Sequence, residues 1–230
     1  FSRRRPNGQT PSDVALDWTL ELGAEPPAKT SFISLHERGD DFQSALDRLS
    51  SYNLPLKLAV EVKDFSELKA GHQWYLQDPQ RRSFLPRSAK GTWRWYRSLF
   101  GPRMPLHFVR EGMGSSLDQP LFWQTVMQPE FKGEFAAVLG SPVEHSRSPQ
   151  EHRKLGIPFV AIDIPEEEFA VALKFLQEIG LKQAAVTAPL KKLAWANSST
   201  LTSEARKTQA VNTLFYDRMG WTAHNTDVLA

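Results

Sequence analysis

The stretch "PFVAIDIPEEEFAVALKFLQEIGLKQAAVTAP", Pro158 to Pro189, contains a strand, a helix and a second strand in succession. Its outer segments, Pro158–Ile164 and Gln183–Ala188, are short apolar runs that are typical of buried strands. Between them, apolar residues recur at helical spacing, acidic residues occupy the first turn, and Gly180 follows as a C-terminal cap. This order indicates an α/β layer with a mainly parallel sheet.

The same alternation continues on both sides of this stretch. The expected strand Phe135–Leu139 leads into a helix that we expect to begin at Pro149, and another helix is expected from Pro189. The chain then ends in "AVNTLFYDRMGWTAHNTD", Ala210 to Asp227, which predicts a hairpin turned at Arg218–Gly220. The second half is therefore expected to be an α/β domain.

A polar, proline-containing stretch, Val126 to Phe135, divides the chain into two predicted domains, residues 1–130 and 131–230. The first half also alternates, with expected strands at Val14–Leu20, Ser31–His36, Leu56–Val60 and Leu106–Val109 and expected helices at Asp40–Ser51 and Asp64–Leu76. Short apolar strands that end in polar residues are typical of a (β/α) barrel. Because a closed barrel needs about 200–250 residues, we expect a partial or shortened barrel.

The composition limits the classes of function. A net charge of +2 gives no reason to expect a nucleic-acid partner, although the run "SRRRP", Ser2 to Pro6, suits a surface or a phosphate or carboxylate contact. The absence of cysteine excludes disulfides and thiolate metal sites and fits a reducing compartment, so we expect a cytoplasmic protein without a metal. No apolar run approaches the roughly 20 residues of a membrane span, so no membrane partner is expected.

The stretch "GSPVEHSRSPQEH", Gly140 to His152, has two interpretations. In the first, Ser148 is a helix N-cap and Pro149 is the first helical residue, which requires no function. In the second, the hydroxyls of Ser146 and Ser148 and the free backbone N–H groups bind a carboxylate or phosphate. The stretch by itself leaves both open.

Four short motifs follow one another in the second half. Singly each is weak, because a strand running into a proline-started helix or a turn with an aspartate is common. Together and in this order they resemble the substrate-binding domain of shikimate dehydrogenase, an α/β sandwich, over nearly all of residues 135–230. The motifs are "GSPVEHSRSP" (Gly140–Pro149), "VTAPLKK" (Val186–Lys192), "AVNTL" (Ala210–Leu214) and "HNTD" (His224–Asp227).

This resemblance implies a role for each matching residue. Ser146 and Ser148 would hold the substrate carboxylate, and Lys191 would be the catalytic lysine paired with Asp227. The ring hydroxyls would be bound by three further residues: Thr187, Asn212 and Asn225. Reduction of a ring ketone needs a hydride and a proton for the developing alkoxide, and a lysine beside a carboxylate can supply that proton or orient a water that does. Without the resemblance, Lys191 would be a solvated residue of a helix and Asp227 a turn residue.

The cofactor NADP is implied by the resemblance alone. The family carries its dinucleotide-binding Rossmann domain after the "NTD" motif, and we do not expect that domain in this chain, which we expect to be part of a longer protein. The stretch "GMGSSL", Gly112 to Leu117, approaches G-x-G-x-x-G, but Leu117 stands at the third glycine and Pro120 disfavours the helix that must follow. We interpret it as a loop.

The first half resembles type I 3-dehydroquinate dehydratase, which is fused in front of shikimate dehydrogenase in plants and some bacteria. The matching stretches are "SFISLHERG" and "LPLKLAVEVKDFSEL". The resemblance makes His36 the catalytic histidine and Lys57 the lysine that forms a Schiff base. An imine at Lys57 would acidify the adjacent C–H, whose proton His36 would remove. Asp17 stands where a supporting glutamate is usual, with Glu21 as an alternative, and Arg3 or Arg4 would supply an arginine.

Departures from the dehydratase pattern are serious. The carboxylate-binding arginine is replaced by Ser116, the closing glutamine motif survives at best around Gln128, and the first strands of the family are absent. The half is therefore either incomplete or degraded. Loss of a bidentate arginine–carboxylate pair is expected to weaken binding.

The whole pattern predicts part of a bifunctional enzyme of the shikimate pathway, cytoplasmic or, in a plant, plastidic. Its reactions would be dehydration of 3-dehydroquinate and NADP-dependent reduction of 3-dehydroshikimate to shikimate. The alternative is a non-catalytic regulatory protein that binds quinate or shikimate with the same two modules. Such a protein would need the serines and asparagines but would have no use for Lys57. An inert scaffold is disfavoured by the intact polar residues of the second half.

Overall fold

Each half of the chain forms its own sheet. In the computed structural model, the described residues are 15–38, 41–152 and 156–228. The first unit ends at Pro120 and the second begins at Leu121, earlier than the boundary expected near residue 130. Both units contain helices and strands, so the predicted α/β class is confirmed. The expected arginines Arg3 and Arg4 lie outside the described residues.

The sheet of the first unit has four strands in chain order, and each pair of neighbours is parallel. The strands are β1 (Leu16–Thr19), β2 (Thr30–Leu35), β3 (Leu56–Leu58) and β4 (Arg82–Phe84), and the helices are α1 (Phe42–Ser50), α2 (Phe65–Leu76) and α3 (Arg94–Phe100). Within the described residues the sheet is open, with β1 and β4 at its edges.

One predicted strand of this unit is wrong. Residues Leu106–Val109 form no strand, and Arg82–Phe84 supplies the fourth strand instead. The backbone N–H of Leu106 donates to the hydroxyl of Ser83 at 2.9 Å, so a side chain rather than a neighbouring strand satisfies this donor.

The expected helices of the first unit begin at aspartate caps. The carboxylate of Asp41 accepts from the N–H groups of Gln43 and Ser44 at the start of α1. Asp64 accepts from the N–H of Glu67 at the start of α2. These bonds satisfy backbone donors that have no partner within the helix.

The second unit has a six-stranded mixed sheet in the order β6-β5-β7-β9-β10-β8. Its strands are β5 (Phe135–Gly140), β6 (Phe159–Asp163), β7 (Leu181–Val186), β8 (Thr200–Leu201), β9 (Thr213–Asp217) and β10 (Gly220–His224), and its helices are α4 (Phe122–Met127), α5 (Ser148–Glu151), α6 (Phe169–Glu178), α7 (Lys191–Ala196) and α8 (Ser203–Thr208). Strand β5, which lies between β6 and β7, is buried along its whole length, as expected for a parallel strand covered on both faces.

The hairpin and the long helix follow the sequence prediction. Strands β9 and β10 pair antiparallel, with Thr213 opposite His224 and Asp217 opposite Gly220, which confirms the turn. Helix α6 is followed by Gly180, whose φ of +107° and N–H bond to the carbonyl of Gln177 confirm the C-terminal cap. A Cβ at this position would lie 2.0 Å from the carbonyl oxygen of Gly133, so only glycine fits.

Among the residues that the structure describes, every helix falls short of the length and apolar character that a bilayer crossing requires. The same residues hold no group of three or more His, Asp or Glu side chains suited to a metal ion.

Candidate functional site

The serine motif (Gly140–Pro149) and the lysine motif (Val186–Lys192) begin at the carboxyl ends of two strands of the second sheet, and these ends lie at the same edge. Strands β5 and β7 are parallel neighbours, so the segments that follow them emerge side by side. The N–H of Ser141 donates to the carbonyl of Ala188 at 3.2 Å, and the N–H of Thr187 donates to the carbonyl of Leu139 at 2.9 Å. The two motifs are therefore joined by backbone bonds although they lie far apart in the chain.

The hairpin brings the other two motifs to this edge. Because β9 runs antiparallel to β7, its first residues lie at the carboxyl end of β7, where the N–H of Val186 donates to the carbonyl of Asn212 at 2.8 Å. Strand β10 returns to the same place, and the N–H of Asn212 donates to the carbonyl of His224 at 3.0 Å. All four motifs thus converge at one edge of the sheet.

Lys191 and Asp227 form an ion pair at this edge. Lys191 is the first residue of α7, and its Nζ lies 2.6 Å from Oδ2 of Asp227. The other carboxylate oxygen, Oδ1, accepts from Nδ2 of Asn212 at 2.8 Å. Both side chains are partly exposed, at 36% for Lys191 and 59% for Asp227, so a ligand can reach the pair.

The hydrogen bond from Lys191, and then that from Asn212, lower the pKa of the Asp227 carboxyl from its ordinary value. A carboxylate with a depressed pKa stabilises the fold at any pH above the ordinary value, and this contribution disappears as the pH falls through the lowered pKa. Asp227 is therefore ionised at neutral pH and is held as an acceptor for the lysine.

The side chain of Asn212 forms four hydrogen bonds to three residues. Its Nδ2 donates to Oγ1 of Thr226 at 2.9 Å and to Asp227, and its Oδ1 accepts from the backbone N–H of Thr226 at 3.0 Å and from the hydroxyl of Thr213 at 3.0 Å. These bonds join the start of β9 to the turn that carries Asp227.

Asn225 is buried, with 7% of its surface exposed. Its Nδ2 donates to Oγ1 of Thr208 at the end of α8, at 3.0 Å, and its Oδ1 accepts from the backbone N–H of Asp227 at 3.2 Å. Asn225 thereby connects the aspartate turn to a helix. Thr187, the third residue expected to bind ring hydroxyls, is exposed at the same edge.

Ser146 and Ser148 are half-buried beside the start of α5. The first interpretation of the stretch Gly140–His152, in which Ser148 is the helix N-cap, is wrong, because the cap position falls on Arg147 and Ser148 is already helical. Instead, the hydroxyl of Ser146 accepts from the N–H of Ser148 at 3.3 Å. The hydroxyl of Ser148 has no hydrogen-bond partner among the described residues and is available to a ligand.

In the first unit, the buried Lys57 forms an ion pair with the partly buried Asp17. Lys57 lies on β3 with 4% of its surface exposed, and its Nζ donates to Oδ2 of Asp17 on β1. The ammonium also lies over the ring of Phe108, 5.5 Å from its centroid. The second oxygen of Asp17 is buried without a hydrogen-bond partner among the described residues.

His36 follows β2 and is held by Glu21, not by Asp17. One oxygen of Glu21 accepts from the backbone N–H groups of His36 at 2.5 Å and Glu37 at 2.8 Å, and the other lies 3.7 Å from Nδ1 of His36. Burial would raise the pKa of Glu21, but the hydrogen bonds from His36 and from these N–H groups lower it to about 2. The carboxylate beside His36 is thus the alternative residue, Glu21, because Asp17 forms an ion pair with Lys57 instead.

The loop around Ser116 is braced internally. The hydroxyl of Ser116 donates to the buried carboxylate of Asp118 at 3.2 Å, which also accepts from the N–H groups of Ser88 and Trp93. The stretch Gly112–Leu117 is irregular, and the next helix begins only at Phe122, so the prediction of a loop is confirmed.

Sequence reasoning missed the hydroxyls that support the site. Thr226 bonds Asn212 through its hydroxyl and its backbone N–H, and Thr208 bonds Asn225. Threonines of this kind carry no spacing signal, and Thr208 becomes relevant only because α8 ends beside the turn after β10. The predicted catalytic pair of the second unit, in contrast, is brought together.

The second unit is similar to a known family. Residues 138–214 match the model of the shikimate dehydrogenase substrate binding domain. Shikimate dehydrogenase (NADP(+)) of Xanthomonas euvesicatoria pv. vesicatoria is 43% identical over 97 residues, which are 40% of this chain and 34% of that protein. The corresponding protein of Anaeromyxobacter sp. is 37% identical over 99 residues, 40% of this chain and 36% of its own length. The chain therefore spans about a third of the length of these curated relatives.

Solved structures give matches to the same family. The crystal structure of Mycobacterium tuberculosis shikimate dehydrogenase aligns with a TM-score of 0.38 at 33% identity and covers 41% of this chain and 39% of that chain. Shikimate 5-dehydrogenase of Thermus thermophilus in complex with NADP(H) and shikimate aligns with a TM-score of 0.38 at 34% identity, covering 41% and 38%. None of these matches supports a dehydratase in the first unit.

Proposed function

We propose that the second unit is the substrate-binding module of an NADP-dependent shikimate dehydrogenase, which reduces the ring ketone of 3-dehydroshikimate to the hydroxyl of shikimate. The observation that carries this proposal is the Lys191–Asp227 pair, 2.6 Å apart, at the sheet edge where the serine motif also lies. The match of residues 138–214 to the substrate binding domain supports it.

The substrate carboxylate is assigned to Ser146 and Ser148. The unpartnered hydroxyl of Ser148 can donate to a carboxylate oxygen, and Ser146 lies within hydrogen-bond reach of the Ser148 backbone. Thr187 is exposed on the neighbouring segment and can donate to or accept from a ring hydroxyl. The serines would fix one end of the ring while the lysine faces the reacting carbon.

Lys191 is assigned the proton of the reaction. When hydride reaches the ketone carbon, the oxygen becomes an alkoxide, and the ammonium of Lys191 can donate a proton to it. In the reverse direction, the amine accepts the proton from the hydroxyl. Asp227 accepts one N–H of the ammonium and stabilises its charge, so the remaining N–H groups can face the substrate.

NADP would supply the hydride, but the described residues do not fit this cofactor. The glycine stretch Gly112–Leu117 is irregular and lacks the helix N-terminus that holds a dinucleotide pyrophosphate. The residues of this site therefore account for the carboxylate, the hydroxyls and the proton, and no part of the nucleotide is assigned to them.

The serine assignment predicts that Ser148→Ala weakens shikimate binding by more than about tenfold, because a hydrogen bond to a charged group contributes about 1.5–3 kcal/mol. Isothermal titration calorimetry of the whole chain measures this. The matched control is Ser198→Ala: the hydroxyl of Ser198, just after α7, donates to the carbonyl of Ala194 in that helix, and its removal should leave the affinity unchanged. An unchanged affinity for Ser148→Ala would contradict the carboxylate role.

A second candidate function, the dehydration of 3-dehydroquinate through a Schiff base, rests on the buried position of Lys57 on β3. Its ammonium is paired with Oδ2 of Asp17, and Oδ1 of Asp17 is buried without a hydrogen-bond partner among the described residues, so this carboxylate can accept from a further donor such as a substrate hydroxyl. In this reaction the amine condenses with the ketone and releases water. His36 then removes the proton beside the imine and returns it to the β-hydroxyl group, which leaves as a second water. Hydrolysis of the imine then frees Lys57.

Borohydride tests this second function directly. If the imine forms, reduction in the presence of 3-dehydroquinate should leave a stable adduct on Lys57, which mass spectrometry of the digested protein locates. Lys63→Arg serves as the control, because Lys63 follows β3 outside the sheet and its replacement should not affect labelling. An unlabelled Lys57, combined with intact shikimate binding, would reject the dehydratase and restrict the chain to the first proposal.

The same pair of experiments separates the enzyme from a non-catalytic quinate or shikimate sensor. A sensor would bind shikimate through Ser148 but would show neither an adduct on Lys57 nor any turnover that depends on Lys191. The ion pair of Lys191 and Asp227 favours the enzyme, because binding of an uncharged hydroxyl does not require an ammonium paired with a carboxylate.

A further inference from the structure

We infer that His152 is a positioning residue of the carboxylate site: its ring holds the backbone of Ser148, so that the Ser148 hydroxyl can face the substrate carboxylate. This inference rests on the proposed function, because it deepens the assignment of Ser146 and Ser148. His152 is the last residue of the stretch Gly140–His152, and the motifs assign it no role.

The helix that carries Ser148 is very short. Helix α5 consists of four residues, Ser148–Glu151, which form a single turn. The first turn of a helix fixes about six backbone dihedral angles for one hydrogen bond, so a single turn is unfavourable without further contacts. The position of Ser148 therefore depends on groups beyond the backbone of the helix itself.

His152 donates twice to the carbonyl oxygen of Ser148. Its backbone N–H bonds this oxygen at the end of the turn, and its Nδ1 lies 2.8 Å from the same atom. Because a carbonyl oxygen can only accept, Nδ1 carries the hydrogen, and the neutral ring has its lone pair on Nε2. Both lone pairs of the carbonyl are thus engaged by one residue.

The ring of His152 is held in turn by the sheet. It stacks on the ring of Phe159, with the centroids 4.4 Å apart and the planes inclined by 19°. Phe159 is the first residue of β6 and lies opposite Ala136 of β5. The stacked pair therefore ties the end of α5 to the sheet.

These contacts leave Ser148 with one polar group for a ligand. Its backbone N–H donates to the hydroxyl of Ser146 at 3.3 Å, and its carbonyl is bonded by His152. A rotation of the Ser148 backbone would break bonds on both sides, so the position of the hydroxyl is restricted before a ligand arrives. A donor that is already in place binds its acceptor with a smaller loss of conformational entropy.

The first test compares three variants by calorimetry of the whole chain with shikimate. His152→Ala removes both the donor and the ring, His152→Asn keeps a side-chain donor, and His152→Phe keeps the stacked ring. The affinity should fall about tenfold in His152→Ala and about threefold in the other two, because each of these retains one contact. An unchanged affinity in His152→Ala would overturn the inference. If His152→Ala does not fold, an unchanged affinity in His152→Phe would overturn it instead.

Gln150 provides the matched control for this test. It lies on the same turn and is exposed, and its side chain forms no hydrogen bond with the described residues. Gln150→Ala should therefore change the affinity by less than about twofold. A loss as large as that of His152→Ala would show that any change in the turn weakens binding, which would overturn the specific role of His152.

The second test uses the methyl ester of shikimate, which lacks the carboxylate charge. The native chain should bind shikimate more tightly than the ester, because a hydrogen bond to a charged group is the stronger one. In His152→Ala this preference should shrink about fivefold, since the affinity for shikimate falls while that for the ester changes little. A merely structural role would lower both affinities by the same factor.

The third test is a double-mutant cycle between His152→Ala and Ser148→Ala. If His152 acts only through the Ser148 hydroxyl, the double variant should bind shikimate no more weakly than Ser148→Ala alone. The control cycle pairs His152→Ala with Thr187→Val, whose effects should multiply because Thr187 is assigned to a ring hydroxyl. Multiplication in the Ser148 cycle as well would contradict the positioning role.

Hydrogen exchange separates this inference from the proposed function. The backbone N–H of Ser148 should exchange faster in His152→Ala than in the native chain, whether or not a ligand binds. If the native chain binds no shikimate, the proposed function fails, and this exchange rate still shows whether His152 holds the turn. If the native chain binds shikimate and His152→Ala changes neither the affinity nor the exchange rate, the positioning role alone fails.

Discussion

Replacement of Lys191 by methionine is expected to lower kcat for the reduction of 3-dehydroshikimate by about 10²–10⁴-fold, the usual contribution of a general acid. Methionine keeps an unbranched side chain of similar length but cannot donate a proton to the alkoxide. The helix should remain intact, because Lys191 is its first residue and is 36% exposed. Steady-state oxidation of NADPH by the full-length protein measures kcat, and calorimetry measures shikimate binding separately.

The neighbouring residue provides the control for this prediction. Lys192 lies on the same helix and is exposed, and its side chain forms no hydrogen bond or ion pair with the described residues. Lys192→Met should therefore leave kcat within about twofold. If Lys191→Met retained more than a tenth of the native kcat, Lys191 would not be the proton donor, and the pair with Asp227 would be a surface ion pair.

The second large effect is on stability. Gly180→Ala is expected to reduce the free energy of unfolding by about 3–5 kcal/mol, because two costs add. The φ of +107° is strained for any residue with a Cβ, and that Cβ would lie 2.0 Å from the carbonyl oxygen of Gly133. The atom in the way is a backbone oxygen, which cannot rotate away as a side chain would. Urea denaturation followed by circular dichroism measures the loss.

Gly156→Ala distinguishes strain from collision. Gly156 has a φ of +76°, but nothing lies within 4 Å of the position of an added Cβ. This variant should therefore cost only about 1–2 kcal/mol, the penalty of a left-handed residue with a side chain. An equal loss of unfolding free energy in both variants would mean that the backbone of Gly133 moves away from the added Cβ. The positive φ alone would then account for the loss of stability.

The fold of the second unit could be predicted in large part from its sequence, because its elements carry strong local patterns. The helix before Gly180 has an amphipathic stripe and a glycine cap, and the Ala210–Asp227 hairpin has clear strands around a polar turn. The short strand Thr200–Leu201 was not predicted, since two residues are too few to show a period. In the first unit, the strand Arg82–Phe84 was missed because an arginine and a serine occupy two of its three positions and leave no apolar pattern.

The site was predictable where residues stand in motifs and unpredictable where partners come from tertiary structure. Lys191 and Asp227 were expected as a pair, and the structure brings them together. The pairing of His36 with Glu21 rather than Asp17 depends on tertiary contacts, since Asp17 bonds Lys57 of β3 once the strands have paired. Linear spacing left both carboxylates open for this reason.

The hairpin of β9 and β10 has a consequence for how this site can change in evolution. Asn212 precedes one strand and Asp227 follows the other, so the two meet only while the strands keep their register. Insertions at the solvent-exposed tip, where Met219 is 79% exposed, lengthen the loop and leave that meeting point untouched. Two residues added within one strand would instead carry Asp227 about 7 Å along the sheet. Tolerated length changes in this lineage should accumulate at the tip, far from the chemistry.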